Sequence, residues 1–129
     1  MITKNGSNII KRVFAGQLPQ IAGSMAFGTG ATPETVDDTE LEAEVVRVSI
    51  TSIGADLDNN RIVFKASIAP GAIPTITEVG LYSSNLLVTG NTSPDGSNLL
   101  VARTVLTTPR ETDPDIVNEV EYSLEINVI

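Results

Sequence analysis

Apolar and polar residues alternate with a two-residue period along much of this chain. From Val45 to Ile53, Val46, Val48 and Ile50 alternate with Arg47, Ser49 and Thr51. From Arg61 to Ala69, Ile62, Phe64, Ala66 and Ile68 alternate with Val63, Lys65 and Ser67. Successive side chains of an extended chain point to opposite faces, so each run reads as a half-buried strand. The polar, Asn-containing link between the two predicts a hairpin. The last run is the clearest, with Val120, Tyr122, Leu124, Ile126 and Val128 facing one way and Glu121, Ser123, Glu125 and Asn127 the other. Ile21 to Phe27, Ile76 to Tyr82 and Leu99 to Leu106 are further strand candidates, with a shorter one at Leu86 to Val88.

Near the start the period lengthens. Ile9, Ile10, Val13 and Phe14 fall on one helical face, which predicts a short helix over about residues 5–16. Asn5 or Ser7 can cap it, and Gly16 can end it. A helix this brief depends on packing against something else, here a sheet. Many strands joined by turn-rich links predict a mainly β fold. The expected form is an antiparallel β-sandwich or small barrel-like domain with a short N-terminal helix, and one domain spanning residues 1–129.

Composition sharpens this picture. A chain of 129 residues buries roughly two-thirds of its unfolded surface, enough for a core without staples. Trp is absent and aromatics are few, so the core must rest on Val, Ile, Leu and Ala. Neither His nor Cys occurs, which excludes Ser-His-Asp triads, Cys-His pairs and His- or Cys-ligated zinc centres. No cofactor is expected. Sixteen acids against eight bases give a net charge of −8, so neither nucleic acid nor an anionic membrane is an expected partner. The opening MITKNGSNIIKR has no apolar core of a secretory signal, and no apolar run reaches membrane-spanning length. A chain made in the cytosol and soluble there is the expectation.

Four stretches invite a chemical reading. GTGATPETVDDT, Gly28 to Thr39, has closely spaced glycines. A phosphate-binding loop needs G-x-x-x-x-G-K followed by Ser or Thr, and no Lys follows here before Lys65. The stretch is better read as a corner, with Asp38 or Thr39 capping a single helical turn through Glu40 to Ala43 before the strand at Val45. In GADLDNNR, Asp56, Asp58 and Asn60 alternate like the first ligands of a calcium loop. The sixth and twelfth positions hold Arg61 and Ser67 where Gly and Glu are needed, which favours a hairpin turn. Glu119, Glu121 and Glu125 are paired carboxylates whose plainest role is a solvated strand face that discourages edge pairing. Finally, Glu78 lies inside the apolar run ITEVGLY, where a lone buried carboxylate is costly. Either it pairs with Arg47 or Arg103 across the sheet or it faces water.

Taken together, MITKNGSNIIKRVFAG, FGTGATPETVDDTELEAEV, ITEVGLY and LLVARTVL, in this order, resemble the small β-rich structural proteins of tailed bacteriophages. The resemblance covers nearly the whole chain, and none of its segments is catalytic. It implies a non-enzymatic virion component, associated with the tail fibre, tip or baseplate, that acts by self-association and by docking other virion proteins. Decoration of the capsid is an alternative location. A homo-oligomer, with a trimer favoured, follows from the same resemblance, and its localisation would be the virion. Ile2, Ile126, Val128 and Ile129 are candidates for a seam between copies or for ordinary core. A carbohydrate-binding module for host attachment is a further alternative, and a hydrolase using carboxylates alone ranks last.

Overall fold

A computed structural model of the chain describes residues 1–18, 20–83 and 99–125. The protein is mainly β, with two antiparallel sheets and one short helix, consistent with a β-sandwich. Among the described residues no closed barrel forms. One sheet has four strands: β1 (Ser24–Gly28), β2 (Glu44–Ser49), β5 (Thr75–Tyr82) and β6 (Leu100–Glu111), in the order β2-β1-β5-β6. The other has three: β3 (Ser52–Asp56), β4 (Arg61–Ile68) and β7 (Asn118–Glu125), in the order β3-β4-β7.

The alternation read from the sequence supplies the main core. Phe64, Ala66 and Ile68 of β4 join Val120, Tyr122 and Leu124 of β7, and they pack against Met25, Phe27, Val79, Leu81 and Ala102 of the larger sheet. The Tyr122 hydroxyl reaches across to Thr104 Oγ1 at 2.6 Å, tying the two sheets together. Val46 and Val48 of β2 pack at the margin of the same core.

The run from Val45 to Ile53 is not one strand, as its pattern predicts, but two strands in different sheets. The change falls between two adjacent amides. Ile50 N–H donates to Gly23 O at 3.0 Å, beside the four-stranded sheet, whereas Thr51 N–H donates to Lys65 O at 2.8 Å, in the three-stranded one. The hairpin to β4 therefore starts from β3 and turns through a single 3-10 turn, Leu57–Asn59, with Asn60 in the left-handed region at φ 54°.

Helix α1 spans Lys4–Phe14, and its cap is Thr3 rather than Asn5 or Ser7, which lie inside the helix. Thr3 Oγ1 accepts from Gly6 N–H at 2.9 Å and donates to Leu100 O at 2.6 Å. The residue that can both cap the helix and bond to β6 takes the position, a choice made by tertiary contact. Thr3 N–H donates to Val101 O, and Ile2 forms an isolated antiparallel bridge with Ala102, so residues 1–3 lie along the start of β6. Gly6 sits directly against the Val101 carbonyl, where any side chain would collide with backbone. Ile9 is then buried in the core.

Candidate functional site

The outward face of the four-stranded sheet is covered by the connection 29–43, and a buried carboxylate holds it there. Across this face Ala26 lies opposite Gly80 and Gly28 opposite Glu78. On the next strand Arg103 lies opposite Gly80. Glycine at 80 leaves a hollow that Leu41 fills, since a Cβ there would stand 2.7 Å from Leu41 Cδ2. Leu41, Ala26, Tyr82 and Leu100 form a second, small apolar cluster. The Tyr82 hydroxyl accepts from Leu41 N–H at 3.1 Å.

Glu78 is fully buried and all four of its hydrogen bonds come from donors. Oε1 accepts from Glu42 N–H at 2.9 Å and from Arg103 Nε at 2.9 Å. Oε2 accepts from Gly30 N–H at 2.8 Å and Ala43 N–H at 2.7 Å. Glycine at 28 and 30 is required by this close approach, because a Cβ at either would meet the Glu78 carboxylate. Burial pushes the Glu78 pKa up, but the Ala43, Arg103, Glu42 and Gly30 donors outweigh it and hold the group below its ordinary value.

Arg103 extends the grip. Its side chain is 3% exposed, and it donates through Nη1 to Asp38 Oδ2 at 3.1 Å and through Nη2 to Thr32 O at 2.9 Å. Burial lowers the Arg103 pKa, while hydrogen bonds to Glu78 and Asp38 raise it, and the net direction is up. Burial likewise raises Asp38, but Thr35 and Arg103 bring it below its ordinary value. Asp38 in turn accepts from Thr35 N–H at 2.9 Å, Glu34 accepts from Val105 N–H at 3.0 Å, and Glu42 accepts from Ala31 N–H at 3.0 Å. Among the described residues every buried side-chain nitrogen and oxygen has a hydrogen-bond partner. An open hollow of about 320 Å³ borders the cluster, lined by Thr32, Asp37, Thr39, Glu40 and Arg103 among others. Chemically, the arrangement fixes one connection: one carboxylate and one guanidinium bond to five of its residues, four of them through backbone atoms.

The single helical turn expected at Glu40 to Ala43 does not form; residues 40, 42 and 43 are bends. The Glu42 and Ala43 amides point at Glu78, so the side chain buried beneath them, not a helical hydrogen bond, satisfies them. Arg47 lies apart from this cluster. It pairs with Glu44 at 2.7 Å, and its guanidinium carbon stacks 3.6 Å from the centre of the Tyr82 ring. Glu119, Glu121 and Glu125 are exposed on β7, with Glu121 3.4 Å from Lys65. Asp56 is turned to Arg61 at 2.7 Å and accepts from Asn59 Nδ2 at 3.0 Å, within the β3–β4 turn. Ile2 is half-buried and packs at the margin of the core. Ile126, Val128 and Ile129 lie outside the described residues, as does the strand expected at Leu86 to Val88.

Sequence reasoning singled out Glu78 by the cost of burying it, but it missed Asp38 as a partner of Arg103 and the three backbone donors. The glycines at 28 and 30 were the available signal. No protein-family model matches the chain, and no curated protein matches it.

Proposed function

We propose that this protein is a non-enzymatic structural component of a tailed-phage virion, associated with the tail, that works by self-association and by docking other virion proteins. The observation that supports this reading is the use made of its buried charge. Glu78 and Arg103 engage Gly30, Thr32, Asp38, Glu42 and Ala43, so the costly groups in the interior serve to hold one long connection rigid against a sheet. Rigid surfaces of fixed shape are what repeated docking requires, because little ordering entropy is lost on binding. The resemblance of its sequence segments to phage structural proteins adds the virion context.

The aromatic side chains disfavour the carbohydrate-binding alternative. Of the five rings, Phe27, Phe64, Tyr82 and Tyr122 are buried, and Phe14 at the end of the helix is the one that is exposed. Sugar faces stack on exposed rings, and a single ring makes no platform. Among the described residues no helix is long and apolar enough to cross a membrane.

The test is quantitative mass spectrometry of purified particles of a phage that encodes this chain. The expected result is the protein at the copy number of a tail ring or fibre. A copy number on the scale of the capsid lattice would move it to head decoration. Its absence from the particles would overturn the proposal.

A further inference from the structure

Unpaired N–H and C=O groups along a sheet edge recruit another strand unless something blocks them. Among the described residues four strands lie at the sheet margins: β2 and β6 in one sheet, β3 and β7 in the other. Three carry recognisable obstacles. Residues 1–3 cover the start of β6, and Pro109 interrupts its far half. β7 carries Glu119, Glu121 and Glu125. β2 is bulged near its start and bears the Glu44–Arg47 pair. β3 has neither Lys nor Pro, and its register with β4 is unbroken from Ser52 to Asp56. Ser52, Ile53, Gly54 and Ala55 are all exposed, and Leu57, immediately after the strand, is 83% exposed.

We propose that β3 is a self-association edge, at which two copies of this chain pair β3 with β3 antiparallel about Gly54. This centre sets Ser52 opposite Asp56 of the second copy, and Ile53 opposite Ala55 of the second copy. Charge complementarity selects it. On the outward face the existing ladder reads Glu125, Arg61, Asp56 in one row and Ser52, Lys65, Glu121 in another. Pairing about Gly54 joins the first row of one copy to the second row of the other. The joined row runs Glu125, Arg61, Asp56, then Ser52, Lys65 and Glu121 of the second copy. Signs alternate throughout, and no like charges meet. On the core-side face, Ile53, 43% exposed in the single chain, gains Ala55 of the second copy as a neighbour.

Two other registers are worse. A one-residue slip continues the core face of one copy into the solvent face of the other. Centring on Asp56 sets that carboxylate against itself. The contact is isologous, so it closes as a dimer rather than as the trimer that the resemblance suggests. This inference rests on the self-association part of the proposed function and not on where in a virion the protein sits.

The test is sedimentation equilibrium of the full chain and two double variants over a concentration series, with circular dichroism to verify folding. Positions 53 and 55 are exposed, so charge is tolerated there in the single chain. The wild type forms a reversible dimer. Ile53→Lys with Ala55→Lys places lysines opposite one another twice, and the dissociation constant rises at least ~100-fold. Ile53→Lys with Ala55→Glu places opposite charges there and restores the dimer. A folded wild type that stays monomeric overturns the inference, as does a Lys/Lys variant that keeps the wild-type mass or a Lys/Glu variant that stays monomeric. Monomeric protein found in multiple copies in particles would sink this edge while leaving the virion role in the proposed function standing. A charge swap that behaves as described, with no protein in particles, would do the reverse.

Discussion

Replacing Glu78 by Gln keeps the shape of the side chain and changes one acceptor oxygen into a donor NH2. In the wild type each carboxylate oxygen accepts from two donors: Glu42 N–H and Arg103 Nε on one, Gly30 N–H and Ala43 N–H on the other. Whichever way the amide turns, two buried donors then point at a third. A buried N–H left unpaired costs about 1–3 kcal/mol. Arg103 keeps one carboxylate partner, Asp38, whose side chain is 22% exposed. Removing one partner of a buried ion pair costs about 3–5 kcal/mol, and the two estimates agree. That is a large share of the ~5–15 kcal/mol that holds a domain together. In urea at neutral pH the midpoint should fall by more than about 1 M with little change in slope. Amide hydrogens of Gly30, Glu42 and Ala43 should exchange faster even where the rest of the sheet stays protected. A loss below ~1 kcal/mol, with those three amides still protected, would refute the idea that Glu78 anchors the connection.

Acid should act through the same group. The folded Glu78 pKa lies below its ordinary 4.5, so the stability it contributes is complete above that value and is lost as pH falls through the folded one. Urea midpoints measured from neutral pH down to pH 3 should therefore fall more steeply in the wild type than in Glu78→Gln, and parallel curves would count against the argument. Gly6→Ala reverses the usual helix rule. Ala normally stabilises a helix interior by about 0.5–1 kcal/mol over Gly, but here its Cβ meets the Val101 carbonyl, and a melting temperature lower than that of the wild type is expected. A higher one would show that the helix does not rest on β6. Leu41→Ala empties the hollow above Gly80 at a cost of about 2–5 kcal/mol by thermal or urea unfolding, while a change near zero would mean that the connection collapses to fill it.

The two-residue period made the β class legible before any coordinates, and β4 and β7 follow it residue by residue, from Phe64 to Ile68 and from Val120 to Leu124. Both are strands with one core face and one solvent face, so burial is written directly into the alternation. The helix was legible for a related reason, since Ile9, Ile10 and Val13 share one face. The site was legible only in outline. A carboxylate inside ITEVGLY announced that something must compensate it, without saying what. Its partners are backbone amides at positions 30, 42 and 43, which carry no side-chain signature in the sequence.

Local pattern by itself thus determined the strand and helix classes and the buried faces of β4 and β7, because these depend on neighbours a few positions apart. Tertiary structure alone decided where the strand at Val45 to Ile53 breaks, since Ile50 and Thr51 donate to different sheets. It also decided which residue caps the helix, because Thr3 bonds β6 as well as the first turn. And it decided that Glu78 faces the connection 29–43 rather than water. Each of these choices is set by hydrogen-bond donors and acceptors far apart along the chain, and they meet only once the two sheets have closed over their core.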